Sequence, residues 1–127
     1  MTTIGVTMAS PARILVVEDD SDLRSSLAEV LEEEGYEVAL ATNGWDALEQ
    51  LGGPPPHAIL LDLTMPGMDG WTFRSRQRKD PRIARIPTVV ISAACSDPRG
   101  LEALAPDAFL AKPFDLGSLI DALKRVC

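Results

Sequence analysis

Asp62 closes an apolar run, Ile59-Leu60-Leu61, and is followed at once by a loop rich in Pro and Gly, Thr64 to Gly70. A carboxylate at the edge of a core costs free energy unless a partner offsets its charge. Glu18 and Asp19 follow another apolar run, Ser92 ends a third, and Lys112 follows a fourth. Carboxylates held together repel and raise one another's pKa unless a cation sits among them. A hard divalent ion suits that need, because magnesium prefers oxygen ligands, keeps several waters and often completes its shell with a phosphate. Glu18, Asp19 and Asp62 are therefore candidate magnesium ligands, directly or through water, with a position open to a phosphoryl group. A carboxylate can also be the nucleophile in phosphoryl transfer, forming an acyl phosphate. Ser92 would then hydrogen-bond one phosphoryl oxygen while the Lys112 ammonium neutralises another. Asp62 attacks as the carboxylate, so the chemistry needs no general base.

These side chains can act together only if the chain gathers them. Arg13–Val17 reads as a strand, and Leu23, Leu27, Val30 and Leu31 then recur at the spacing of one helical face, ended by Gly35. Tyr36–Ala41 reads as a second strand, Asn43-Gly44 as a turn, Trp45–Leu51 as a short helix and GGPPP as a breaker. Ala58–Asp62, Pro87–Ser92 and Ala108–Ala111 are the remaining strands; Trp71–Lys79 is helical, a short helix is expected between Pro98 and Leu104, and Leu116, Leu119, Ile120 and Leu123 mark a closing helix. Continuously apolar strands alternating with helices imply a parallel sheet covered on both faces, a doubly wound α/β fold. Ligands of such sheets bind beyond the carboxyl ends of the strands, which is where Glu18, Asp19, Asp62, Ser92 and Lys112 fall.

A chain of 127 residues with 46% hydrophobic content fits one domain with a real core. The formal charge of -7 argues against a surface built to hold nucleic acid, and no apolar run approaches the roughly 18 residues of a membrane span. The first residues, MTTIGVTMASPA, lack the basic start and apolar stretch of a signal peptide, so the expected location is cytoplasmic. Cys95 and Cys127 have no ligand-like spacing and read as free thiols.

The motifs ILVVEDD, LLDLTMPGMDG, IPTVVIS and FLAKPF, in that order, make the chain resemble a response-regulator receiver domain of two-component signalling, CheY-like, over nearly all of its length from Arg13 to Cys127. The resemblance implies a flavodoxin-like (βα)5 fold with a five-stranded parallel sheet of order 2-1-3-4-5 and a receiver domain over residues 12–127. Residues 1–11, ahead of it, are expected to be a disordered extension, as chain termini often are. It implies that Asp62 accepts a phosphoryl group from a histidine kinase or histidine phosphotransfer protein in a phosphorelay. Glu18 and Asp19 would hold magnesium with Asp62, and the Thr64 backbone carbonyl would be a further ligand. Ser92 and Phe109 match the switch pair, and Lys112 matches a family lysine whose bond to Pro113 is cis. Such a domain catalyses only its own phosphorylation and dephosphorylation, and it passes the signal to a downstream protein target without itself touching nucleic acid or membrane. Two other readings use the same residues. One is a degenerate receiver that binds partners without phosphorylation, against which the complete set Glu18, Asp19, Asp62, Ser92 and Lys112 argues. The other is a haloacid-dehalogenase-like phosphatase, whose second acid would stand where this chain has Thr64.

Plainer roles are expected elsewhere. Asp20 and Ser21 would cap the first helix, His57 would be a loop residue, and Trp45 and Trp71 would be packing residues. Arg74 and Gln77 depart from the family pattern by standing where similar sequences place apolar residues, so the third helix is expected to have a thin buried face. Of the twelve Lys and Arg, six lie between Arg74 and Arg85: Arg74, Arg76, Arg78, Lys79, Arg82 and Arg85. They form either a solvated helix face or a basic docking patch for an acidic partner. Pro98, Gly100 and Pro106 predict that the short helix near them is poorly propagated and mobile before phosphorylation.

Overall fold

Along β1 (Arg13–Val17), β3 (Ala58–Asp62) and β4 (Thr88–Ser92), nearly every side chain is buried, as a strand covered on both faces requires. The computed structural model describes residues 11–63, 65, 67–92 and 104–126. These three strands form the centre of a five-stranded parallel sheet of order β2-β1-β3-β4-β5, with β2 (Glu37–Ala41) and β5 (Ala108–Ala111) at its edges. Among the described residues there are four helices: α1 (Ser21–Glu33), α2 (Gly44–Gln50), α3 (Gly70–Lys79) and α4 (Leu116–Val126). The strand bounds of β1, β3 and β5 match the sequence reading, and the other elements differ from it by a residue or so at their ends. None of these helices is long and apolar enough to cross a membrane.

The two-residue period of a strand divides the core between the faces. Leu15, Val17, Ile59, Leu61 and Val90 pack with Ala47, Leu51 and Phe73 of the α2–α3 side. Ile14, Val16, Leu60, Val89 and Ile91 pack with Leu27, Leu31, Leu119 and Leu123 of α1 and α4. Helix starts and stops follow from local chemistry. Asp20 caps α1, accepting from the backbone N–H groups of Asp22 and Leu23 at 2.9 and 3.1 Å, and Asn43 and Asp69 cap α2 and α3 in the same way. Gly35, at φ +94°, takes the left-handed conformation that turns the chain from α1 into β2. Gly70 meets a steric demand instead, because a Cβ there would lie 2.6 Å from the Asp62 carbonyl oxygen and the Leu63 Cα. Only glycine lets α3 start directly against the end of β3.

Two expectations are corrected. Trp45 and Trp71 do not pack in the core: they are 58% and 39% exposed. α2 buries Gly44 and Ala47, and α3 buries Gly70, Phe73, Arg74 and Gln77, so each Trp stands one position off its helix's buried stripe. Nor is the buried face of α3 thin. It is complete, and half of it is polar. Arg74, 5% exposed, donates from Nε to the Leu104 carbonyl at 2.8 Å and from Nη2 to the Ala105 carbonyl at 2.6 Å. Its Nη1 reaches Gln77 Oε1 at 2.8 Å and Thr88 Oγ1 at 3.0 Å. Gln77 Nε2 in turn donates to the carbonyls of Ile83 and Ile86, both at 3.1 Å. The Thr88 N–H donates to Asp107 Oδ2 at 2.7 Å, and the Asp107 N–H to the Thr88 carbonyl at 2.9 Å. Burial lowers the Arg74 guanidinium from its ordinary pKa, and the charge of Asp107 offsets part of that. The clasp also holds Ala105, whose φ of +46° is costly for a residue with a Cβ.

This network yields a stability prediction. Arg74→Met would leave buried carbonyls and an amide oxygen without donors, and should destabilise the chain by about 3 kcal/mol in urea unfolding. Exposed Arg76→Ala should change stability by only about 0.5 kcal/mol. Equal losses from the two variants would show that the Arg74 bonds contribute little.

Candidate functional site

The carboxyl ends of the strands bring Glu18, Asp19, Asp62, Ser92 and Lys112 to one edge of the sheet. The Glu18 N–H donates to the Ala41 carbonyl at 3.0 Å, extending the β1–β2 ladder by one bond and seating the Glu18 side chain at the strand mouth, 1% exposed. Asp19, next in the turn, is exposed. Asp62 is the last residue of β3, opposite Ile91 of β4, and is 2% exposed. Ser92, also buried, ends β4 opposite Ala111. The next residue, Lys112, donates its backbone N–H to the Ser92 carbonyl at 2.8 Å. Its Nζ lies 3.4 Å from Glu18 Oε1 and 3.5 Å from Asp62 Oδ1.

Glu18, Asp19 and Asp62 each present an oxygen, and these oxygens lie within 4.8 Å of one another. That spacing suits one small hard cation held by three carboxylates. Without such an ion their charges are poorly compensated. Burial, a hydrogen bond shared with Asp62 and repulsion by the Asp62 charge push the Glu18 carboxyl up to about 7, against the opposing pull of the Asp20 N–H and of Lys112. The chain therefore holds a buried acid poised near neutrality beside its candidate nucleophile.

Phe109 is half-buried in β5, opposite Val90, and packs on the α2–α3 side of the core. The Lys112–Pro113 bond is cis, as the sequence resemblance implied. Thr64, a candidate for its carbonyl, lies outside the described residues, as do Cys95, Cys127 and all but Leu104 of the short helix expected from Pro98. His57 is the loop residue expected, its Nδ1 accepting the Arg13 N–H at 2.9 Å. Of the six basic residues singled out on and after α3, Arg74 is internal and leaves the surface set. Arg76, Arg78, Lys79, Arg82 and Arg85 are exposed, with Arg76 stacked 5.1 Å from the Trp45 ring centre and Arg82 paired to Asp80 at 2.9 Å.

Two features escaped the sequence reading. Arg24 donates to the carbonyls of Glu18 and Asp19 at 2.9 and 3.3 Å, pinning the acidic turn from one helical turn below. An apolar cavity of about 480 Å3 opens beside Lys112, lined by Leu23, Ser26, Leu27, Pro113, Phe114 and Leu116. Arg24 is one place after Leu23 in a helix with an apolar period, and nothing local marks it as more than a solvated residue.

The family model for the response regulator receiver domain matches residues 14–124. The transcriptional regulatory protein PrrA of Mycobacterium tuberculosis is 44% identical over 117 residues, which are 90% of this chain and 49% of PrrA. The phosphate regulon transcriptional regulatory protein PhoB of Escherichia coli is 36% identical over 117 residues, 90% of this chain and 51% of PhoB. The chain thus spans about half the length of these curated relatives. Among solved structures, chemotaxis protein CheY4 of Vibrio cholerae superposes with a TM-score of 0.85 at 28% identity, covering 92% of this chain and 99% of that one. The response regulator TrrA of Thermotoga maritima, solved in complex with Mg(2+)-BeF, superposes with a TM-score of 0.82 at 31% identity, covering 91% of this chain and 99% of that one. A family match that begins in the first strand and ends in the last helix, with solved receivers superposing over nine-tenths of the chain, leaves one assignment: the chain belongs to the response regulator receiver domain family of two-component signalling.

Proposed function

We propose that Asp62 is the phosphoacceptor of this receiver and that its phosphorylation, supported by magnesium, switches a protein-binding surface. The observation that carries the reading is the Asp62 carboxylate itself. It is buried at the end of a rigid strand, with the Lys112 ammonium 3.5 Å away and carboxylate oxygens of Glu18 and Asp19 within 4.8 Å. An Asp62 oxygen attacks the phosphorus of a phosphohistidine on a histidine kinase or histidine phosphotransfer protein. The new O–P bond forms as the P–N bond breaks, and the electron pair leaves with the imidazole of the donor. Magnesium, when bound by Glu18, Asp19 and Asp62, supplies positive charge against the phosphoryl oxygens. Lys112 stabilises another of those oxygens, and the Ser92 hydroxyl, at the end of the adjacent strand, is placed to bond a third. The turn is held for this work by the bonds of Arg24 to the Glu18 and Asp19 carbonyls.

Phosphorylation replaces a carboxylate by a bulkier, more negative acyl phosphate. Drawing the Ser92 hydroxyl toward it would free space on the face shared by Phe109, and a shift of that ring would carry the change to the surface beside β5, where a downstream protein binds.

The reading predicts that acetyl phosphate or phosphoramidate adds one phosphoryl group by intact mass, only with magnesium present, and that Asp62→Asn abolishes the gain. No gain with either donor would overturn it in favour of a receiver that acts unphosphorylated. Lys112→Ala should slow phosphorylation by about tenfold to a hundredfold in the same assay, through loss of one charge-stabilising group. The raised Glu18 acid also gives a pH dependence. The folded chain keeps a proton up to about 7 that the unfolded chain releases near 4.5, so this contribution to stability is complete below 4.5 and lost as pH rises through 7. Without magnesium, thermal stability should fall between pH 5.5 and pH 8, and Glu18→Gln should flatten the slope. Magnesium should stabilise the natural chain more at pH 8 than at pH 5.5, because the ion competes with that proton.

A further inference from the structure

α3 carries a groove that phosphoryl transfer at Asp62 does not use. It encloses about 450 Å3 and is lined by Trp71, Arg74, Ser75, Arg78, Lys79 and Leu104. Trp71, Ser75, Arg78 and Lys79 fall at i, i+4, i+7 and i+8, so a single stripe of the helix makes one wall. Leu104, itself 2% exposed, closes the groove on its inner side, and buried Arg74 contributes positive potential from below while its bonds go to the Leu104 and Ala105 carbonyls. No acidic residue stands among these lining side chains. Elsewhere on and after α3, Arg76, Arg82 and Arg85 are exposed, Arg76 braced by its stacking on Trp45 at 5.1 Å and Arg82 paired to Asp80 at 2.9 Å. The two tryptophans of the chain are thus both exposed at or beside this basic surface.

We propose that the groove docks an acidic segment of a partner protein, with an apolar side chain against the exposed face of Trp71 and carboxylates on Arg78 and Lys79. Charge complementarity selects that occupant. The chain carries -7 overall, yet residues 76–85 hold five cations, Arg76, Arg78, Lys79, Arg82 and Arg85, against one carboxylate, Asp80. From Ser25 to Phe73 there is no Lys or Arg at all, while Glu29, Glu32, Glu33, Glu34 and Glu37 stand exposed. Those acidic residues lie on α1, its C-terminal cap and the start of β2, with α1 across the sheet from α3, so the cations are concentrated on the α3 side. A short acidic stretch with one apolar anchor matches the extent of the groove better than a long polyanion such as a nucleic acid. The groove needs no phosphoryl group at Asp62, so it can be tested on the unmodified chain.

The probe is a synthetic heptapeptide with one leucine between two triplets of glutamate. Trp45→Phe in the full chain keeps an aromatic ring under Arg76 and leaves Trp71 as the reporter. The expected result is a saturable change in Trp71 emission, weakened by added salt and weakened about tenfold by Arg78→Glu with Lys79→Glu. The same charge change on α4, Lys124→Glu with Arg125→Glu, should leave affinity within about twofold, which separates the groove from the net charge of the chain. Replacing the peptide leucine by glycine should also weaken binding. No saturable change, or equal losses from the two reversals, would overturn the proposal. Tighter binding of an oligodeoxythymidine than of the peptide at equal salt would overturn it too, since the surface would then be one for nucleic acid. Circular dichroism of each variant confirms folding, and milder changes of Arg78 and Lys79 to Gln should give intermediate affinities.

Discussion

The structure is organised around carboxylates that repel one another and cannot escape. Glu18 and Asp62 are almost wholly buried, Asp19 joins them from the turn, and Lys112 brings one ammonium to the first two. Left in water these groups would separate and ionise freely. The sheet prevents separation, because Asp62 is the last paired residue of β3 and Glu18 continues the ladder of β1. What remains is to trade charge. Glu18 holds its proton up to about 7, accepts an N–H bond from Asp20 and leans on Lys112. A site whose negative charge is confined and only partly offset is one that a small divalent cation would compensate, and under the proposed function an incoming phosphoryl group would then meet a compensated surface instead of a repelling one.

The opposite solution to a buried charge appears on the α3 side. Arg74 is nearly as buried as Asp62, yet its guanidinium is surrounded by oxygen acceptors: the Leu104 and Ala105 carbonyls, Gln77 Oε1 and Thr88 Oγ1. A buried charge met by several hydrogen bonds is quiet: it holds its neighbours still and has little to gain by moving. A buried charge met by other charges of its own sign is poised. The same fold thus contains a satisfied ion that fastens α3 to the start of β5 and a cluster of like charges, only partly offset by Lys112, at the far end of the strands. Rigidity at one end and latent charge at the other follow from what each ion is given as partners.

This contrast also explains what could be read from the chain and what could not. Asp62 is legible because an apolar strand ending in an acid before a turn is unusual on local grounds alone, and Lys112 and Ser92 become legible with it once the alternation of strand and helix places strand ends together. Sheet order was accessible only through family likeness, since five apolar strands by themselves allow other arrangements. The fate of Arg74 was not accessible. Its acceptors lie 30 and 31 residues further on, and as one basic residue in a row of them it looked like surface. The tryptophans misled for a related reason. Large aromatic residues usually bury, but a helix has one core-facing stripe, which Gly70 and Phe73 occupy in α3 and Gly44 and Ala47 in α2, and Trp71 and Trp45 each miss it by one position.

Lys112 joins these two halves. Its backbone N–H holds the Ser92 carbonyl at 2.8 Å, fixing the end of β5 to the end of β4, while its ammonium faces Glu18 and Asp62. One residue therefore belongs both to the sheet and to the charge cluster. β5 is also an edge strand, four residues long and nowhere fully buried. Under the proposed function, a change of charge at Asp62 would pull on the Lys112 ammonium, and the strand to feel the pull would be this thinly buried edge strand. At its other end β5 is anchored through Asp107 to Thr88, and through Thr88 to Arg74. A displacement starting at the site would on this account be concentrated near Phe109 to Ala111 instead of spreading through the sheet. A signal built on one carboxylate needs such an asymmetry: a strand loose where charge changes and fixed where nothing should move.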